Sequence, residues 1–220
     1  MDYKVIKSKR KTIALTVTED AQLIVKAPFY VSEETIKQVI LKHRRWIEKR
    51  KREINSRAKY KPKEFVNGEG FLYLGKWYKL FIVEEQLEPL RFENGFYLSK
   101  TALPHAKKVF LDWYKRSAYE KISERVEFYA KKRGITYNKI KISNAMRRWG
   151  SCSSRGNLNF SWRLIMAPLS VIDYVVVHEL AHIIERNHSK RFWNIVKIMM
   201  PDYKIQSKWL KDFGYLLRIE

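Results

Sequence analysis

The stretch from Pro168 to Pro201, PLSVIDYVVVHELAHIIERNHSKRFWNIVKIMMP, constrains the fold more than any other part of the 220-residue chain. An α-helix turns about 100° per residue, so His178 and His182 stand about 40° apart on its surface and one turn apart along its axis. Glu179 lies about 100° round from His178, on the flank of the same surface. Val176, Val177, Leu180, Ala181, Ile183 and Ile184 occupy the opposite side. Such a helix packs into a core and leaves one polar edge facing a cleft. Pro168 precedes the run, and Ser170 with Asp173 three residues on reads as a capping box, so the helix is expected to begin there.

The polar edge carries an H-E-x-x-H pattern. Neutral imidazole is a good zinc ligand, and three protein ligands leave a fourth position for water. A neighbouring carboxylate can take that water's proton and supply a nucleophile at neutral pH. His178 and His182 are thus candidate ligands, with Glu179 the candidate base. His188 is the expected third ligand, but a straight helix would leave it about 15 Å along the axis from His178. The chain has to break past Ile184 and turn back, with Asn187 the expected left-handed residue. Ser189 then caps a second helix, SKRFWNIVKIMM, which Pro201 ends; Phe192, Val196 and Met199 or Met200 form its inner face. Glu185 competes with His188 for the third place. A lone histidine on an apolar helix is ordinarily a satisfied core residue, and H-E-x-x-H strings arise by chance. Here a third histidine follows a break, and only His43 and His105 lie elsewhere. Three imidazoles with an open position favour one Zn²⁺ per chain, with other divalent transition metals such as manganese or nickel left open.

Upstream, the pattern is first strand-like. Val5, Ile6, Ile13, Leu15 and Val17, then Leu23, Ile24 and Val25, with Glu19-Asp20 between the later runs, suggest a hairpin. Ser32-Glu33-Glu34 opens a helix, acids first. Ile36, Val39, Ile40, His43 and Ile47 recur along it as a buried stripe. Its other faces carry Lys42, Arg44, Arg45, Lys49, Arg50, Lys51 and Arg52, with Trp46 among them. Such a helix could track a phosphate backbone, although a merely solvated face is the commoner outcome. The charged residues 57–64, with Pro62, read as a connection. FLYLGKWYKLFIVEE and LRFENGFYLSK form a second antiparallel β unit with a turn at Asn94-Gly95. Pro104 to Arg133 is helical in pattern, and Gly134 ends it as a C-cap. Within residues 139 to 168, a polar turn at Ser153 to Gly156 joins two strands in a hairpin.

With 45% hydrophobic residues the chain can fill a sizeable core. Its 45 Lys+Arg against 23 Asp+Glu give a formal charge of +22. A field of that sign draws in polyanions without choosing among them, and a lysine-rich composition that binds nothing specific is the plain alternative. The single cysteine, Cys152, excludes an internal disulfide framework and suits a reducing compartment. It reads as a small buried hydrophobe rather than a zinc-blocking thiolate. MDYKVIKSKRKTIALTV shows no secretory signal, and no apolar run reaches bilayer length. The expectation is a cytoplasmic protein without membrane association, and nothing asks for an obligate protein partner.

RRWGSCSSRGNLNFSWRLIMAP, followed by HELAH and NHSKRFW, resembles the YgjP-like metallopeptidase family, related to SprT-like zinc proteases and to the wider zincin superfamily. The resemblance spans most of the chain and is most specific from about Lys107 onward. It implies an α+β fold: a zincin-like metal-dependent hydrolase domain at 104–220, with its active-site helix beside a β-hairpin. A β-rich N-terminal region at 1–103, containing one basic amphipathic helix, would precede it. The resemblance also implies zinc ligation by His178, His182 and His188, with Glu179 as general base. Zincins align an extended peptide on an edge strand, expected here at Leu158 to Ser161. The spacing from first to third histidine equals that of the metzincins, but Glu185 stands where they have glycine, so the turn must differ. Arg147, Arg148, Ser151 and Asn159 are candidate substrate-binding residues or equally structural ones, with Arg148 and Trp149 bracing the hairpin. Tyr203 is a candidate donor to a developing oxyanion.

The leading expectation is a zinc-dependent hydrolase of metallopeptidase type, with metal-activated water attacking a peptide carbonyl. The runner-up keeps the site and hydrolyses a nucleoside triphosphate as a metal-dependent pyrophosphohydrolase. The absence of a Gly-rich phosphate loop and the imidazole ligand set argue against it. A third reading is a nucleic-acid-associated protein, either a binder with structural zinc or a SprT-like protease recruited to DNA.

Overall fold

The computed structural model describes residues 2–18, 20–56 and 61–219. Glu19 of the expected first turn and residues 57–60 of the expected connection lie outside them. Contacts divide the chain into two compact units, Met1–Lys61 and Pro62–Glu220. The division falls within the Pro62-bearing connection rather than at 103/104, because the second β unit shares its core with the helix that follows it. The class is mixed α+β, with six α-helices and three small sheets among the described residues.

The first unit contains β1 (Tyr3–Ser8), β2 (Ala14–Val17), β3 (Leu23–Pro28), α1 (Glu33–Lys42) and α2 (Arg44–Asn55). β2 and β3 form the expected antiparallel hairpin. β1 lies on the other side of β3 and runs parallel to it, in the order β1-β3-β2. A parallel pair cannot be closed by a tight turn, and β2 is the strand that carries the chain back. Leu23, Val25 and Ala27 of β3 pack with Ile36, Ile40 and Ile47 in a small core. Ser32 caps α1 as expected, its Oγ accepting the Thr35 N–H. The helix read through Ile47 is in fact two, because the backbone kinks at His43 (φ −102°, ψ 12°). His43 is therefore exposed rather than part of the buried stripe.

The second unit opens with β4 (Gly70–Tyr73), β5 (Lys76–Val83), β6 (Leu90–Phe92) and β7 (Phe96–Ser99). Two antiparallel hairpins, β4–β5 and β6–β7, are joined by a parallel β5–β7 pair, so this sheet is mixed rather than wholly antiparallel. Asn94 is left-handed (φ 50°) in the β6–β7 turn, the conformation an Asn-Gly turn needs. Next comes α3 (Ala106–Arg133), ended by a left-handed Gly134 (φ 63°, ψ 32°). Phe71 of β4 stacks on Phe110 of α3 with ring centroids 4.2 Å apart. Tyr114 is fully buried on α3 and donates its hydroxyl to the Leu72 carbonyl at 2.7 Å. This aromatic seam locks sheet and helix into one core.

The third sheet comprises β8 (Lys139–Ser143), β9 (Gly150–Cys152) and β10 (Asn157–Ser161), in the order β8-β10-β9. β9 and β10 are the expected hairpin about Ser153 to Gly156, and β8 pairs parallel to β10. Leu158 to Ser161 is thus in the central strand. The outer strand is β9, which packs against the next helix.

That helix is α4 (Leu169–Ile184), followed by α5 (Lys190–Met199) and α6 (Tyr203–Phe213). Ten of the sixteen residues of α4 are buried, so protein surrounds most of its circumference. Each fully buried Val or Leu contributes on the order of 1.5–3 kcal/mol. The capping box does not form: Pro168 is the N-cap residue and no side chain caps the helix. Ser170 instead donates to Gln206 of α6 at 3.2 Å. Asp173 takes a two-pronged ion pair from Arg125 of α3, Nε to Oδ1 at 2.6 Å and Nη2 to Oδ2 at 3.0 Å. A salt bridge with a partner from another helix, distant in sequence, has outcompeted the local cap. The β4–β5 turn fixes the start of the helix as well. Leu74 and Gly75 donate their backbone N–H groups to the carbonyls of Ile165 and Met166 at 2.8 and 3.0 Å. Gly75 is left-handed (φ 80°), and a Cβ on it would stand 2.8 to 3.0 Å from Pro168. Among the described residues no helix is long and apolar enough to cross a membrane.

Candidate metal centre

α4 ends at Ile184, as the histidine spacing requires, and Glu185 leaves it in an extended conformation (φ −137°, ψ 112°). That residue redirects the chain. Asn187 is not left-handed, because the bend is completed without a positive φ. Ser189 caps α5 through the Phe192 N–H, and Phe192, Val196 and Met199 are buried along its inner face. His188, at the junction, points back over α4.

The outcome is convergence. His188 Nε2 lies 3.0 Å from His178 Nε2 and 3.1 Å from His182 Nε2. Among the described residues these histidines form a cluster able to hold a metal ion. Tetrahedral ligation at about 2.0–2.1 Å would separate such nitrogens by roughly 3.3 Å, so the donor set fits a transition-metal ion. His182 Nδ1 lies 3.2 Å from the Glu185 carbonyl, a contact that turns its Nε2 toward the other two rings. Glu185, the rival ligand, contributes this carbonyl, while its carboxylate lies 3.8 Å from the Arg191 guanidinium. Trp193 of α5 stacks on His188 with centroids 5.7 Å apart, and Phe192 stacks on His182 at 4.4 Å.

Glu179 is buried, and its Oε2 has no hydrogen-bond partner. Burial raises its pKa to about 8, against a smaller downward pull from Arg148. Burial and then the charges of His182 and His188 lower His178 to about 4, so it stays a neutral donor. Burial likewise lowers His182. Gly150 gives the carboxylate its room: a Cβ there would come within 2.5 Å of Glu179 Oε1. A cavity of about 380 Å³ is lined by the three histidines, Glu179, Gly150 to Ser154 and Arg186.

The other candidate residues scatter. Ser151 lines the cavity, and Arg148 is exposed but close enough for its charge to act on Glu179. Arg147 is exposed in the loop before β9, and Asn159 pairs with Ser151 in register without lining the cavity. Tyr203 lines neither this cavity nor the smaller one beside it. Its ring stacks between Trp193 and Tyr174 at 5.4 and 6.4 Å. Cys152 is half-buried on the cavity wall rather than deeply buried, and it is not in the metal-competent cluster. Burial, then the charge of Glu179, raises its pKa, which keeps it a thiol. Gly150, Tyr174, Val175 and Leu210 escaped sequence reasoning, since none of them shows as a site residue in periodicity or spacing.

Fold and cluster together give a mixed α+β protein with a histidine cluster able to hold a metal ion. The chain belongs to the YgjP-like family, whose metallopeptidase-domain model matches residues 11–213. A comparison with functionally curated proteins returns no match. Among solved structures it is similar to the crystal structure of the metallopeptidase zymogen of Pyrococcus abyssi abylysin, at 19% identity and a TM-score of 0.39. The match covers 44% of this chain and 96% of that one.

Proposed function

We propose that this chain is a zinc-dependent peptidase of zincin type with Glu179 as its general base. One observation carries the reading: the Nε2 atoms of His178 and His182 each lie within hydrogen-bond distance of His188 Nε2, beside a buried, partly unpartnered carboxylate on the same cavity wall. His178, His182 and His188 would hold the ion through Nε2. When bound, the ion supplies a Lewis acid for a peptide carbonyl and makes water acidic enough to lose a proton near neutral pH. Glu179 takes the proton of the attacking water and returns it to the leaving amine. Burial makes it a stronger base than an exposed carboxylate, and a nearby cation brings its pKa down toward the working range. As the outer strand beside the cavity, β9 offers a free edge to which an extended peptide adds by main-chain hydrogen bonds, passing Ser151.

The test loads purified protein with Zn²⁺, measures metal by elemental analysis and offers unfolded proteins and nucleoside triphosphates in parallel. The expected result is one zinc per chain and protein cleavage that Glu179→Gln removes while zinc stays bound. Phosphate release without peptide cleavage would transfer the site to nucleotide chemistry. Cleavage that survives Glu179→Gln would remove the base from the scheme.

A further inference from the structure

The bend between α4 and α5 puts a cation into the wall of the histidine cavity. Arg186 lines that cavity together with Ser151, Ser153 and Ser154 of the β9–β10 hairpin. Its Nη2 donates to the Ser154 carbonyl at 3.4 Å, and its backbone is in hydrogen-bonding contact with the His182 ring. A guanidinium carries five N–H donors, so one bond leaves most of them open. Among the described residues Arg186 has no carboxylate partner: Glu185 beside it faces Arg191 at 3.8 Å, and Glu179 feels Arg148. Resting on the peptidase reading above, we infer that Arg186 is the anchor of a carboxylate subsite in the cleft. The substrates are then polypeptides with a Glu or Asp, or a free C-terminal carboxylate, at one position within about three residues of the cleaved bond, as the rise of an extended strand sets it.

Chemistry and placement support this assignment. A guanidinium and a carboxylate match in shape as well as charge, meeting through two parallel hydrogen bonds. Ser151 and Ser154 add hydroxyls to the same wall, and a hydroxyl can donate to the same anion. Placement follows the strand. A Cβ on Gly150 would meet Glu179, so the reacting groups lie level with the start of β9. Ser153 follows three residues later, roughly 10 Å along an extended chain. The Arg186 charge also reaches the Cys152 thiol at the end of β9, lowering a pKa that burial and then Glu179 raise. The cation thus stands toward the far end of the strand from the reacting groups. A peptide added to the β9 edge passes Glu179 and brings a nearby side chain to Arg186. A neutral side chain there would leave the guanidinium without a counter-charge, whereas a carboxylate supplies one.

The test uses the full-length zinc-loaded protein on unfolded proteins, with cut sites mapped by mass spectrometry, and on a peptide made with a free or an amidated C-terminus. The wild type should show Glu and Asp enriched at one position near the cut, or faster cleavage of the free-acid peptide. These two arms tell a side chain from a chain end. Arg186→Gln should lower the ratio of acidic to neutral cleavage about tenfold, the low end for charge-assisted hydrogen bonds because Arg186 is exposed. Arg186→Glu should turn the preference toward Lys and Arg, which mere loss of the bond to Ser154 would not do. Zinc content and thermal melting report folding. If both variants misfold, the wild type still decides, because raising salt from about 0.05 to about 0.5 M should flatten its acidic preference. No acidic preference in either arm at low salt, or one that salt and both variants leave unchanged, overturns the subsite while leaving the peptidase intact. Absence of all Glu179-dependent cleavage overturns the peptidase reading, and the subsite with it.

Discussion

The helix that carries His178 and His182 and the helix that carries much of the N-terminal charge follow opposite rules. α4 is buried around most of its surface and takes two acids, Asp173 and Glu179, out of water. Each has an identifiable consequence: Asp173 is clamped by Arg125, and Glu179 holds its proton to about pH 8. α2 buries only Ile47 and Ile54 and leaves its charges at the surface, where Arg44 pairs with Glu48 and Arg50 with Glu53. Exposed pairs of that kind contribute little and name no partner. An acid held in a dry wall beside converging imidazoles has a cost that chemistry explains. Charge is informative where the protein has paid to desolvate it.

The contrast can be broken or sharpened by measurement, the largest effect first. Glu179→Gln should lower kcat/KM by about 10²–10⁴-fold with the zinc content unchanged. The same variant should change how stability depends on pH in chelated protein. Glu179 titrates at about 8 in the fold against about 4.5 in the free side chain. Its contribution is therefore complete below pH 4.5 and is lost as pH rises through 8. His178, lowered to about 4 from 6.5, acts oppositely, contributing above pH 6.5 and losing that contribution as pH falls through 4. From pH 5 to 8 the metal-free wild type should lose on the order of 3 kcal/mol relative to Glu179→Gln, read by urea unfolding in chelator. Asp173→Asn should cost about 2–3 kcal/mol in the same assay, somewhat less than a fully enclosed ion pair. Arg45→Ala with Lys49→Ala on α2 should move stability by no more than about 0.5 kcal/mol. If that surface pair costs as much as Asp173→Asn, the distinction between the helices fails.

The histidine cluster was legible because its determinants are local. Apolar spacing marks α4, the reach of an imidazole demands a break after Ile184, and Ser189 announces α5. What escaped depends on distant partners. Asp173 has the spacing of a cap, yet Arg125 arrives from another helix and takes it. Leu158 to Ser161 has the character of an edge strand, but β8 pairs with it in parallel from outside the hairpin and leaves β9 at the rim. The bend after α4 uses an extended Glu185 where a left-handed Asn187 was equally compatible with the sequence. Trp149 and Leu210 share a cavity only because α6 folds back, a fact that no residue spacing encodes.

Pro168 lies under the tip of the β4–β5 hairpin, with Gly75 close enough to exclude a side chain. The axial register of α4 is thereby inherited from a turn remote in sequence. Lengthening or reshaping that tip would slide the helix along its groove, carrying His178 and His182 out of step with His188, which lies at the junction before α5 and stacks on Trp193. A substitution far from the three histidines would then break up the cluster while each of them remained in place in the sequence.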